Sequence, residues 1–141
     1  MRDRVCVVRS GHLGDVVLSE PVAAALVEEG WEVHLCTAFT DVGACLDSYS
    51  VVRPFRDYLE GTLTGYARIH LLRYELLPRS HHLDAYAVDA GVTLRRRVPR
   101  LRSTFTSPSE ESYGVMCPDT SLWMREMRSW PRDRFEDLRV T

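Results

Sequence analysis

Apolar residues in this chain fall in short continuous runs separated by stretches of helical spacing, and that alternation sets the first expectations. Residues 5–8 read Val-Cys-Val-Val, an apolar run with β-branched bias, which predicts a strand buried on both faces of a parallel sheet. Residues 15–29 then place Val16, Val17, Ala23, Ala24, Leu26 and Val27 on or near one helical face, with Gly30 just past the end as a C-cap. Pro21 interrupts that pattern. It fits if the first turn is irregular, or if the helix proper begins near Ser19 with Pro21 close to its first position.

Further along, residues 32–37 predict a second strand, and residues 40–46 a short helix behind Thr40 or Asp41 as N-cap. Residues 51–55 predict a third strand, which Pro54 pushes to an edge. Residues 67–72 predict a fourth, and residues 80–90 a helix closed by Gly91. Short strands alternating with helices predict an α/β fold with a doubly wound, mainly parallel sheet. After Gly91 the texture changes, through Arg95-Arg96-Arg97 to a polar segment around Pro108. Residues 113–117 then read as another buried strand, and residues 131–138 as a helix with Pro131 first.

Size and composition narrow the picture. The 141 residues suffice for one domain with a real core and are too few for two full lobes. A net charge of -2 gives no reason to expect a nucleic-acid partner, and the arginine run is expected to be a solvated surface. All 18 basic residues are arginine, so any cationic clamp must be arginine and no lysine chemistry is available. The four cysteines lack the spacing of a zinc site; three lie in apolar runs, and buried free thiols are expected, with no metal. No signal-peptide pattern opens the chain, and no apolar run approaches the roughly 20 residues that cross a bilayer, so a cytoplasmic protein is expected.

The candidate chemistry lies between the first strand and the first helix, in Ser10-Gly11-His12-Leu13-Gly14-Asp15. At the carboxyl end of a parallel strand, glycine-exposed backbone and helix amides converge on ligands. The loop lacks the lysine of a P-loop and the glycine spacing of a dinucleotide fold, which excludes both. Asp15 then reads either as a helix-start charge worth about 0.5 to 2 kcal/mol or as a functional carboxylate, and the local pattern leaves both open. His12 reads as an exposed loop histidine, and His81-His82 as capping or surface residues.

Two segments carry a resemblance. Val7-Val8-Arg9, Gly14-Asp15-Val16-Val17-Leu18, Pro21 and Ala25-Leu26 resemble the N-terminal signature of the ADP-heptose:lipopolysaccharide heptosyltransferase family, glycosyltransferase family 9. Gly114-Val115-Met116-Cys117-Pro118, followed by Arg128-Ser129-Trp130-Pro131 and Arg134-Phe135-Glu136-Asp137-Leu138, is similar to the start of that family's C-terminal lobe.

The resemblance implies a Rossmann-like lobe equivalent to one half of a GT-B glycosyltransferase. Residues 1–102 would be the acceptor lobe, residues 103–112 a linker, and residues 113–141 the start of the donor lobe, packed on the first. It implies Asp15 as the catalytic base for sugar transfer with inversion, and Gly11, His12, Leu13 and Gly14 as the acceptor side of the cleft. Arg128 would meet the donor's phosphates. The donor would be a nucleotide-sugar, ADP-linked in the family, serving as substrate with no cofactor, and the acceptor a glycan or other hydroxyl compound. The family's downstream Asp-x-Gly-x-x-His type donor motif is not in the sequence, so a homodimer or second polypeptide is expected to complete the cleft. The alternative expectation is a non-catalytic glycan- or nucleotide-binding module derived from such an enzyme.

Overall fold

The computed structural model describes residues 3–102 apart from 76, 78 and 79. The chain divides into two units, Met1–Thr104 and Phe105–Thr141, and all described residues lie in the first. The expected linker, the strand at 113–117, the helix at 131–138, Cys117 and Arg128 lie outside the described residues.

Four strands, β1 (Arg4–Val8), β2 (Glu32–Thr37), β3 (Val51–Pro54) and β4 (Arg68–Leu71), form one sheet in the order β3-β2-β1-β4. Every neighbouring pair is parallel. The architecture is the α/β, Rossmann-like one. β1 sits in the interior of the sheet and its last four residues are buried, as its uniformly apolar run requires. β3 is an edge strand ending at Pro54, where a missing N–H leaves no ladder bond unmade.

The helices are α1 (Leu13–Leu18), α2 (Glu20–Glu28), α3 (Thr40–Ala44), α4 (Arg56–Leu59) and α5 (His82–Ala90). The expected single helix at 15–29 is thus two helices. It begins two residues earlier and breaks at Ser19, because Pro21 has no N–H and its ring would strike the carbonyl four residues back. The second solution to Pro21 is the one adopted, with Pro21 in the first turn of α2. Ser19 Oγ stabilises the break, bonding the Val16 carbonyl at 2.6 Å and the Tyr49 hydroxyl at 2.6 Å.

α3 differs from its expectation at the N-cap. Phe39 takes that place, since Thr37 Oγ1 accepts the Phe39 N–H at 3.2 Å and turns the chain earlier than Thr40 would. α5 begins at His82, capped by His81 Nδ1 accepting the Leu83 N–H at 3.2 Å, and ends on Gly91 at φ 69°. Only a residue at ease in the left-handed region closes a helix this way. α4 was not foreseen; an Arg53–Asp57 ion pair of 2.6 Å ties it to β3.

The two faces of the sheet are covered unequally. Val5, Val7, Val33 and Leu35 meet Val16, Val22, Leu26, Leu83 and Tyr86 of α1, α2 and α5 in the main core. Cys6, Val8 and Cys36 face the other way, against Phe55, Tyr58, Leu63 and Tyr66. Burial pushes the Cys6 thiol up to about 12, the state of an inert core thiol. Cys6 and Cys36 are buried free thiols, and Cys45 is exposed. Among the described residues no helix is long and apolar enough to cross a membrane.

The arginine run is exposed at Arg95, Arg97 and Arg100, as expected, and only Arg96 turns inward. The segment after α5 returns to the domain, with Leu101 bridging Leu46 and the Arg102 N–H bonding the Cys45 carbonyl at 2.8 Å. Arg96 grips fully buried Glu20 through both terminal nitrogens, at 2.7 and 2.5 Å. Arg95 pairs with Glu28 and Arg97 with Asp84. Their charges meet carboxylates of α2 and α5.

Candidate functional site

The strand order has one reversal point. The chain runs outward from β1 through β2 to β3, then returns to the other side of β1 as β4, so the crevice between the carboxyl ends of β1 and β4 is where an open α/β sheet holds ligands. A cleft of about 390 Å³ opens there, lined by Arg9, Gly11, Phe55, Leu72, Arg73 and Glu75 among others. A larger cavity of about 580 Å³ lies under Trp31, Tyr49 and Arg102, beside the start of β2. We place the site in the smaller cleft, because the buried charges of the β1–α1 junction converge on it.

Arg9, the first residue past β1, organises those charges. Its guanidinium donates to the Leu72 carbonyl at 2.9 Å, to Asp15 Oδ2 at 2.9 Å and to Glu75 Oε1 at 3.2 Å. It also lies over the rings of Tyr74 and Tyr86, 4.9 and 5.2 Å from their centroids. Arg9 is only 5% exposed and Asp15 only 6%. Arg9 Nε and the Tyr86 hydroxyl are buried with no hydrogen-bond partner among the described residues. The cluster ties β1, α1, α5 and the segment after β4 into one unit.

Asp15 occupies the third position of α1, where its Oδ2 also accepts the His12 N–H at 3.0 Å. It therefore serves both as a helix-start carboxylate and as the partner of a buried arginine. Burial pushes its carboxyl up, but the Arg9 hydrogen bond, the His12 N–H and the charges of Arg9 and His82 outweigh that and hold it below the usual range. Asp15 is ionised near neutrality. Its other oxygen, Oδ1, lies 3.4 Å from Nδ1 of His82, whose ring stacks on Tyr74 with centroids 3.7 Å apart and planes at 8°.

Of the expected acceptor residues, Gly11 alone lines the cleft, while exposed His12, Leu13 and Gly14 stand beside it at the start of α1. The two glycines answer to different requirements. A Cβ on Gly11 would stand 2.5 Å from Asp15 Oδ2 and 2.6 Å from Arg9 Nη2, whereas one on Gly14 would meet nothing within 4 Å. Gly11→Ala is expected to destabilise the domain by about 1 to 3 kcal/mol by forcing the ion pair aside. Gly14→Ala is expected to stabilise it by about 0.5 to 1 kcal/mol, through helix propensity. Urea unfolding of both variants checks this, and equal losses would contradict the close approach at Gly11.

Arg9, Glu75, Tyr74 and His82 were missed by sequence reasoning as members of the site. Arg9 had a local signal, a charge placed directly after a buried strand. The other three had none, since they come from chain segments more than 60 residues away. Among the described residues no group of three or more His, Cys, Asp or Glu is gathered as a metal site. Comparison of the chain with family models, with curated proteins and with solved structures finds no match.

Proposed function

We propose that this protein is the acceptor-binding half of an inverting glycosyltransferase, with Asp15 as the catalytic base that takes the acceptor's proton. One observation carries the reading: an ionised, buried Asp15 is held by Arg9 directly behind Gly11, and both of those residues line the cleft between β1 and β4. A cleft that sets the charges of Arg9, Arg73 and Glu75 beside an aromatic wall at Phe55 suits a hydroxylated acceptor, and a fixed carboxylate favours loss of a hydroxyl proton. The donor is a nucleotide-sugar, ADP-linked as the resemblance implies, whose phosphates meet Arg128. A second copy or another polypeptide completes the donor wall, and the reaction is cytoplasmic.

The test is acceptor-dependent nucleotide release by the full chain, alone and with candidate partner lobes, using ADP-sugars and other nucleotide-sugars with glycan acceptors. Asp15→Asn is expected to lower turnover by about 10² to 10⁴ while the far-UV spectrum stays unchanged. Full activity in that variant would remove Asp15 from the mechanism. A second reading, a non-catalytic binding module, is favoured by the fact that both Asp15 oxygens already have partners. Glycan binding by calorimetry without any nucleotide release would establish it instead.

A further inference from the structure

The second cavity, of about 580 Å³, lies at the end of the sheet opposite the β1–β4 cleft, where β2 begins at Glu32 and β3 at Val51. That volume is ample for a small ligand. Its walls are held from behind, through bonds that reach into the core. Tyr49 is 1% exposed, with its hydroxyl bonded to Ser19 Oγ at 2.6 Å, and Ser48 Oγ donates to buried Glu20 at 2.6 Å. Ser50 binds the Val33 carbonyl through its N–H at 2.9 Å and its Oγ at 3.2 Å. Asp47 is exposed, and its backbone N–H fixes it by donating to the Arg100 carbonyl at 3.1 Å. A frame bound in this way does not have to be ordered when a ligand arrives.

We infer that this cavity is a binding site for a neutral sugar, separate from the transfer cleft. The chemistry of its lining selects that class. Asp47 supplies a carboxylate, which only accepts hydrogen bonds, and Arg102 a guanidinium, which only donates them. Arg102 Nη2 donates to the Tyr49 carbonyl, which fixes the guanidinium at the wall. The remaining charge of the lining, Glu32, is already bonded through Oε1 to His34 Nε2 at 2.9 Å. Asp47 and Arg102 carry opposite charges, so together they favour neither an anion nor a cation. They suit a ligand whose neighbouring groups both give and take hydrogen bonds, as adjacent hydroxyls do.

Trp31 adds the wall that a pyranose ring needs. It is half-buried, its backbone N–H donates to the Leu26 carbonyl at 3.1 Å, and the Arg68 guanidinium lies 5.3 Å from the centroid of its ring. The indole is thus held in place as a flat apolar surface of the cavity. The C–H face of a sugar packs on such a surface, while the hydroxyls at its rim reach Asp47 and Arg102. Neither Arg9 nor Gly11 belongs to this lining, so a sugar bound here leaves the β1–β4 cleft open. The site calls for no reaction and stands apart from the transferase reading.

Ligand-observed NMR titration of the full chain tests this, with methyl glucoside, methyl mannoside and methyl galactoside as neutral probes. Glucuronate, glucosamine and adenosine serve as an anion, a cation and a nucleoside for comparison. At least one neutral sugar is expected to bind more tightly than all three comparators. Asp47→Ala and Trp31→Leu are each expected to weaken that binding about tenfold or more with the far-UV spectrum unchanged, and Asp15→Asn to leave it as in wild type. Asp47→Ala decides alone if Trp31→Leu fails to fold, since the Asp47 side chain is exposed. No binding of any neutral sugar, or tighter binding of a comparator, overturns the inference. So does binding that is lost in Asp15→Asn and kept in Asp47→Ala, which moves the sugar to the β1–β4 cleft. A chain that releases no nucleotide with any donor and acceptor ends the transferase reading, while sugar binding that depends on Asp47 still upholds this site.

Discussion

Glu20→Gln is expected to destabilise the domain by about 3 kcal/mol at pH 7, although the two side chains have nearly the same shape. The Glu20 carboxylate is fully buried and every group around it donates: Ser48 Oγ at 2.6 Å, both terminal nitrogens of Arg96, and the Arg100 N–H at 2.8 Å. An amide in its place turns a donor toward donors and leaves Arg96 without its counter-charge. For a domain of this size the loss corresponds to a thermal midpoint lower by about 12 °C or more.

The pH dependence has a definite sign. Burial pushes the Glu20 carboxyl up, but the bonds from Arg96, Ser48 and the Arg100 backbone, with the Arg96 charge, hold it below its ordinary 4.5. Its stabilisation is therefore complete above pH 4.5 and is lost as pH falls through the lowered value. Urea unfolding at pH 7 and pH 3 should show the gap between wild type and Glu20→Gln narrowing in acid. A loss below about 1 kcal/mol at pH 7 would mean that the 95–102 segment is not clasped through Glu20.

Arg9→Met is expected to cost about 3 kcal/mol at pH 7 and to reverse the pH response of the site. In the wild type Asp15 is held below its ordinary 3.8, so the pair contributes stability above that pH and loses it on acidification. Without the guanidinium, burial becomes the dominant influence on Asp15 and raises its carboxyl. A group whose folded value is raised destabilises the ionised protein, and the penalty lifts as pH falls through that value. The variant should therefore regain stability relative to wild type between neutral and mildly acid pH. A difference that stays constant over that range would show that Asp15 does not depend on Arg9 for its charge.

These two residues also mark the limit of what the linear pattern discloses. Glu20 reads as an ordinary helix-start charge, and Arg96 as one member of a solvated basic run. Their separation of 76 positions is closed by the return of the chain after α5, which no local propensity encodes. Arg9 was visible as a residue but not as a hub, because its partner Glu75 lies 66 positions away, past three crossovers.

The sequence by itself determined the elements and the address of the site. A continuous apolar run specified β1, Pro54 specified an edge, Gly91 a helix end, and the Gly11 to Asp15 loop the carboxyl end of the first strand. These follow from side-chain period, fixed φ and missing donors, all local properties. Only the tertiary structure decided what surrounds Asp15. Folding β4 back beside β1, with α5 packed on both β4 and α1, brings Glu75 and Tyr74 to Arg9 and His82 to Asp15, and burial then makes the Arg9–Asp15 pair strong enough to matter.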